Sequence, residues 1–139
     1  VSVPVVYADA SALVKLVLDE PESAALRAYL VGAGVVTCDL ALTEVPRAIR
    51  RASATDPSLP LEALLARAGE VLEAVGLLPL DRAILIEAGA IAEPGLRALD
   101  AVHVAAAVSL GPIDAFVTYD ERQAAAARLA GLRVVAPGA

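Results

Sequence analysis

The chain has 139 residues, with 17 acidic and 11 basic side chains, one His and a formal charge of −6. That length predicts a single domain spanning residues 1–139, able to bury roughly 70% of its unfolded surface without disulfide or metal staples. An apolar fraction of 58% with a single Phe describes an aliphatic Ala/Leu/Val core and excludes a disordered chain.

Cys38 is the only cysteine. A disulfide framework and a cysteine zinc cluster are therefore excluded, and the composition suits a reducing cytoplasm. No apolar run of about 18 residues offers a membrane span. No basic segment followed by an apolar block opens the chain, so no secretion signal is expected. The negative charge argues against gripping nucleic acid by bulk charge, but leaves room for a local basic patch or an acidic site neutralised by metal.

Val3–Ala8 is a Val-rich run ended by Asp9 and predicts a buried strand. Ser11–Leu18 follows as a helix, and Pro21 with Glu22 opens a second one reaching Val31, punctuated by Gly32 and Gly34. Val35–Cys38 is a second strand. Leu40–Ala52 reads as a helix in which Pro46 predicts a later start or a kink. Ser53–Pro60 reads as a loop, and Leu61–Val75 has helical spacing. Leu77–Leu80 is a third strand. Asp81 caps a helix to Ala92, and Glu93-Pro94-Gly95 breaks it. Leu96–Leu110 is an Ala-rich helix, Ala115–Thr118 a fourth strand, and Asp120–Ala130 the last helix, with Gly131 as its C-cap. Val134 and Val135 make a short fifth strand.

Strands separated by helices predict a three-layer α/β/α sandwich around a parallel sheet of about five strands, with right-handed crossovers. Sites in such sheets lie beyond the C-terminal strand ends, where the strand order reverses. Asp9 and Asp120 both fall at that end, although they stand 111 positions apart. Glu44 lies early in the helix after strand two. Asp100 lies near the start of the helix before strand four, flanked by Leu99, Ala101, Val102 and Val104. Taken singly, Asp9 and Asp120 also fit helix N-caps, and Glu44 fits a first-turn glutamate on the helix dipole. Asp39 and Asp81 are read as caps only. The functional reading rests on convergence of the four acids.

Tyr7-Ala8-Asp9-Ala10-Ser11-Ala12-Leu13-Val14-Lys15 resembles the opening of PIN-domain ribonucleases. Leu99-Asp100-Ala101-Val102-His103-Val104-Ala105-Ala106-Ala107 resembles their central Leu-Asp-Ala helix, and Val117-Thr118-Tyr119-Asp120 their strand-four ending. Glu44 falls where their second acid lies. The resemblance covers almost the whole chain, and its small size is most similar to the VapC toxins of bacterial toxin–antitoxin pairs. It implies an acidic tetrad of Asp9, Glu44, Asp100 and Asp120 that holds Mg²⁺ or Mn²⁺, with Asp9 and Asp100 as the firmest direct ligands. It also implies endonucleolytic cleavage of RNA to 5′-phosphate and 3′-hydroxyl ends, transfer or ribosomal RNA as substrate, and a VapB-like antitoxin that masks the site.

Elementary electrostatics agrees with a metal. Two like charges ~5 Å apart repel by about 3 kcal/mol at an effective dielectric of ~20, so four acids together need a counter-charge. Hard carboxylate oxygens suit Mg²⁺ or Mn²⁺, and no Cys–His set offers zinc a better home. Ser11 and Thr118 are candidates to hold a ligand carboxylate, or else a turn residue and a strand former. His103 is read as a satisfied packing residue rather than a base, and Cys38 as a small buried apolar one.

Lys15, Arg47, Arg50, Arg51 and Arg97 are candidate substrate-binding residues, a cationic rim that positions phosphates, or else ordinary solvated helix charge. With only 3% aromatics, recognition of folded RNA shape is expected over base stacking. The excess of apolar helix surface predicts a homodimer and a groove for a partner segment. Three alternatives stand beside this. A phosphorylated receiver would need an acidic pair after strand one and a Lys after the last long strand, and both are missing. A haloacid-dehalogenase phosphatase needs an Asp where Ser11 stands. A non-catalytic PIN-like binding module remains open, with all four acids present.

Overall fold

Five short runs of small and β-branched residues pair into one sheet: Val5–Ala8 (β1), Gly34–Cys38 (β2), Gly76–Leu78 (β3), Ala115–Val117 (β4) and Val134–Val135 (β5). The structure, a computed structural model, describes residues 3–139. Every pairing is parallel, in the order β3-β2-β1-β4-β5. The helices are Ala10–Val17 (α1), Ser23–Leu30 (α2), Ala41–Thr55 (α3), Leu61–Ala74 (α4), Arg82–Gly89 (α5), Ala98–Ser109 (α6) and Glu121–Leu129 (α7).

The strand period of two sorts the core into two layers. Val6 and Ala8 of β1, with Ala115 and Val117 of β4, face Leu13, Val17, Leu26, Val45, Ile49 and Leu72 of α1 to α4. Tyr7 and Phe116, directly paired between those strands, face the opposite way, onto α5, α6 and α7. The result is the expected three-layer sandwich. Full burial of side chains such as Leu13, Leu26 and Ile49 stabilises it by roughly 1.5–3 kcal/mol each. Helix α6 is buried on nearly every side from Ala101 to Ala107, and its small residues let it lie close to the sheet. Gly131 ends α7 with φ +89°, and the Leu132 and Gly131 N–H groups donate to the carbonyls of Ala127 and Arg128, a Schellman cap.

The chain steps from β1 outward to β2 and β3, then returns across β1 to build β4 and β5 on the other side. The order therefore reverses between β1 and β4, and the crevice at their C-terminal ends is where the fold leaves room for a site.

Several boundaries differ from expectation. Helix α3 neither starts late nor stops at Ala52; it runs through Pro46 to Thr55. Proline removes one backbone donor there, while Ala41, Val45 and Ile49, fully buried on one stripe, hold the helix against the core. The following loop is accordingly only 56–60. Helix α5 ends at Gly89 rather than Ala92. Asp81 caps α5 through Ile84 N at 2.9 Å, as expected. Asp39 is not a side-chain cap: Leu40 is the N-cap of α3, and Asp39 N still donates to Leu78 O, continuing the β2–β3 ladder. Among the described residues, no helix is long and apolar enough to cross a membrane.

Candidate active site

Asp9 is the first residue off β1 and the N-cap of α1. Its Oδ1 accepts from Ala12 N at 3.0 Å and Ser11 Oγ at 2.6 Å, and its Oδ2 accepts from Thr118 Oγ1 at 2.5 Å. Asp9 is only 2% exposed. Burial pushes its pKa up, and the opposing pull of those three donors and of nearby His103 does not cancel the rise. A carboxylate so placed gains from a cation.

Two hydroxyls tie Asp9 to the turn after β4. Ser11 Oγ also accepts from Tyr119 N at 3.1 Å, and Thr118 Oγ1 from Asp120 N at 3.1 Å. Asp120 in turn N-caps α7, with Oδ1 accepting from Gln123 N at 2.9 Å. Asp9 and Asp120 are thus helix caps and cleft residues at once. The two readings do not compete, because capping occupies only one oxygen of Asp120 and leaves Oδ2 toward the cleft.

Asp100 sits in the first turn of α6, its side chain 17% exposed. Gln123, itself buried, donates from Nε2 to the Asp100 carbonyl at 3.0 Å and so locks α7 to the start of α6. Arg97, 74% exposed, reaches Asp100 Oδ2 with Nε at 3.2 Å and Asp120 Oδ2 with Nη2 at 3.8 Å. One guanidinium therefore bridges two of the acids.

Glu44 is held differently. His103 Nε2 donates to its Oε1 at 2.6 Å. The His103 Nδ1 lies 2.7 Å from Tyr7 Oη and 3.7 Å from Cys38 Sγ, deep in the core. Burial opposes a charge on the imidazole, but the Cys38 sulfur and the Glu44 carboxylate outweigh it and push its pKa up to about 10. Burial drives the Tyr7 pKa far up, so its phenol keeps its proton.

All four acids line one cleft of about 600 Å³ at the β1/β4 crevice, together with Ser11, Lys15, Arg47, Arg51 and Arg97. Arg50 is absent from that lining. On α3 it projects about 60° from Arg47, whereas Arg51 falls about 40° from it on the other side, close to the cleft face shared with Glu44. Lys15 is not a free rim cation: its Nζ pairs with Glu22 at 3.1 Å and Glu20 at 3.5 Å and lies 4.9 Å above the Tyr119 ring. Arg47 and Arg51 form no ion pair among the described residues, which leaves them as the cleft's unmatched cations.

In kind, the donor set suits a hard divalent ion: carboxylate oxygens, no thiolate, and the one imidazole taken up by Glu44 through Nε2 and by Tyr7 through Nδ1. In distance it is open. Among the described residues no three His, Cys, Asp or Glu groups stand close enough to grip a metal together. Arg97 instead engages Asp100 and Asp120, and His103 engages Glu44. Tyr7, Gln123 and the His103–Glu44 bond are the contributors that sequence reasoning missed. A Tyr inside an apolar strand and a His one turn after Asp100 were the available signals.

The fold and these acids define a class. The chain belongs to the PIN-domain family, whose pattern matches residues 6–129. Within it the similarity is to VapC ribonucleases: Ribonuclease VapC35 of Mycobacterium tuberculosis is 39% identical over 140 residues, covering 96% of this chain and 97% of the relative. Among solved structures, the M. tuberculosis toxin VapC20, described as cleaving the sarcin–ricin loop, superposes with TM-score 0.72 at 18% identity, over 95% of this chain and 99% of that one. VapBC2 of Rickettsia felis, solved on a DNA fragment of its promoter, gives TM-score 0.70 at 12% identity over 96% and 98%. At those identities the structures speak for the fold.

Proposed function

We propose that the cleft is the active site of a divalent-metal-dependent endoribonuclease, the toxin of a VapBC-type pair, hydrolysing phosphodiester bonds in structured RNA. The observation that carries this is the lining of one crevice, at the reversal of strand order, by Asp9, Glu44, Asp100 and Asp120. The ribonuclease name of the VapC35 relative supports it.

Asp9 and Asp100 would be the direct holders of Mg²⁺ or Mn²⁺, with Glu44 and Asp120 closing the set once Arg97 leaves Asp100 and Asp120. Bound there, the ion supplies counter-charge and Lewis acidity toward the phosphodiester. The chain's own residues do the rest. Ser11 and Thr118 fix both oxygens of Asp9, so it enters the reaction without reorganising. Arg47 and Arg51 bind backbone phosphates on the α3 side of the cleft. Arg97, freed from the acids, becomes a further phosphate contact at the opposite side. Cleavage leaves 5′-phosphate and 3′-hydroxyl ends.

The partners in this reading are the RNA, a second copy of the chain and a VapB-like antitoxin, with the cytoplasm as location. An antitoxin that presents an Arg to Asp100 and Asp120 would repeat the contact Arg97 already makes within the chain. The test is cleavage of purified transfer and ribosomal RNA with Mg²⁺ or Mn²⁺, read on a denaturing gel. Cutting by the wild-type chain that disappears with EDTA and in Asp100→Asn is expected. Undiminished cutting by Asp100→Asn would remove the tetrad from the chemistry.

A further inference from the structure

We propose that His103 is a positioning residue of this site: it fixes Glu44 in the cleft through a buried chain of contacts that begins at Tyr7. The inference rests on the ribonuclease reading above. Glu44 carries a long side chain on the rim of α3, free to take many rotamers if nothing holds it. Its Oε1 is instead held at 2.6 Å by His103 Nε2.

The imidazole cannot turn away. It is 1% exposed, its Nδ1 lies 2.7 Å from Tyr7 Oη, and the Tyr7 ring meets it edge-on at 5.8 Å and 73°. Tyr7 is itself fixed, stacked on Phe116 at 5.3 Å with a 4° angle between planes. So the direction of Glu44 is set by strand β1, through α6, and not by its own helix. His103 also sits one turn after Asp100 on α6. One helix therefore carries one acid and the anchor of another, which couples the placement of Asp100 to that of Glu44.

Packing alone does not account for this. A buried polar chain is weak evidence for stability, since apolar residues of the same volume commonly do as well. Here the chain ends on an acid of the cleft. In metal sites, groups that orient a ligand carboxylate typically change metal affinity by 10–100-fold when removed.

The test uses two amide replacements. In His103→Gln the amide reaches the position of Nε2 and still donates to Glu44. In His103→Asn it reaches only the position of Nδ1, keeping the Tyr7 side and leaving Glu44 loose. Mn²⁺ affinity is measured without RNA, by the electron paramagnetic resonance of free Mn²⁺, and RNA cleavage is measured separately. His103→Asn should weaken Mn²⁺ binding by about tenfold and lower kcat at an unchanged KM, with His103→Gln restoring most of both. Equal affinities in the two folded variants would overturn the proposal and return His103 to packing. The chain's single His also gives an unambiguous imidazole ¹⁵N spectrum. Added Mg²⁺ should move the Nε2 resonance in the wild-type chain and not in Glu44→Gln; an unmoved wild-type resonance overturns the proposal even if His103→Asn fails to fold. A wild-type chain that neither binds Mn²⁺ nor cuts RNA sinks the ribonuclease reading and this proposal with it. A wild-type chain that does both, beside an unaffected His103→Asn, sinks this proposal alone.

Discussion

Replacing Asp9 with Asn removes a charge while keeping the shape, and it separates the two things that residue does. The side chain accepts three hydrogen bonds from Ser11, Ala12 and Thr118. Asn keeps Oδ1 for Ser11 and Ala12, but its amide must donate to the Thr118 hydroxyl, which already accepts from Asp120 N and whose own buried proton then loses its acceptor. Asn and Asp are equivalent N-caps, so α1 loses little. The two bonds to Oδ1 fall from charge-assisted to neutral strength, a loss of roughly 0.5–2 kcal/mol apiece, and the Thr118 proton left without a partner costs roughly 1–3 kcal/mol. Against that, the desolvation of a carboxylate at 2% exposure costs several kcal/mol. The raised pKa of Asp9 says that desolvation wins. A raised carboxyl pKa means that stability is present below the unfolded value of 3.8 and is lost as pH rises through the folded value. Asn escapes that loss. The metal-free Asp9→Asn protein is therefore expected to gain on wild type in stability as pH rises from about 4 to 7, by at most about 1.4 kcal/mol per pH unit, because it lacks the carboxylate whose ionisation the fold opposes. Urea denaturation in EDTA measures it, and a gel assay with Mg²⁺ restored should find cleavage by wild type and none by Asp9→Asn. A stability difference between variant and wild type that stays constant over that pH range would refute the reasoning.

Three further outcomes follow from the same geometry. Millimolar Mg²⁺ or Mn²⁺ should stabilise the wild-type chain by about 1.4 kcal/mol at ten times its Kd, read by thermal melting, and leave Asp9→Asn unmoved; identical shifts in both would place the ion elsewhere. Changing Arg47 and Arg51 to Ala should weaken RNA binding and flatten its dependence on log[salt] by about 1.4 for single-stranded contacts, whereas Arg50→Ala should leave both unchanged; equal effects from Arg50 would mean ordinary surface charge. In EDTA, wild-type stability should fall most clearly between pH 9 and about 10, where His103, facing Glu44, Tyr7 and Cys38, keeps its proton folded and has lost it unfolded; at lower pH the fall is offset by the Cys38 thiol, which, against its burial, His103 pulls below its usual 9.0. The slope is at most about 1.4 kcal/mol per pH unit, and Glu44→Gln should flatten it in chemical-denaturation series.

Much of the fold was legible because its signals are local. The Val-rich run before Asp9, the apolar flanks of Asp100 and the Gly131 stop each report on a few neighbouring residues. The convergence of Asp9 and Asp120 followed from topology alone, since parallel strands joined by helices put their ends at one edge. What stayed hidden depends on how elements meet. The Glu44–His103 bond is fixed by the packing of α3 and α6 across β1 and β2, which no sequence spacing encodes. The separation of Arg51 from Arg50 is a single helical step of 100°. Lys15 looked like a free cation because its partners, Glu20 and Glu22, come from the turn that leads into α2. Asp39 looked like a cap because the sheet ladder runs one residue further than its apolar pattern.

The central claim is that these four acids form one metal site, and crystals soaked in Mn²⁺ test it most directly by anomalous scattering. An anomalous peak in the cleft, in direct contact with carboxylate oxygens of Asp9 and Asp100 and with Arg97 swung off Asp100, is the predicted result. A cleft without a peak at saturating Mn²⁺, with Arg97 still bridging Asp100 and Asp120, would contradict it.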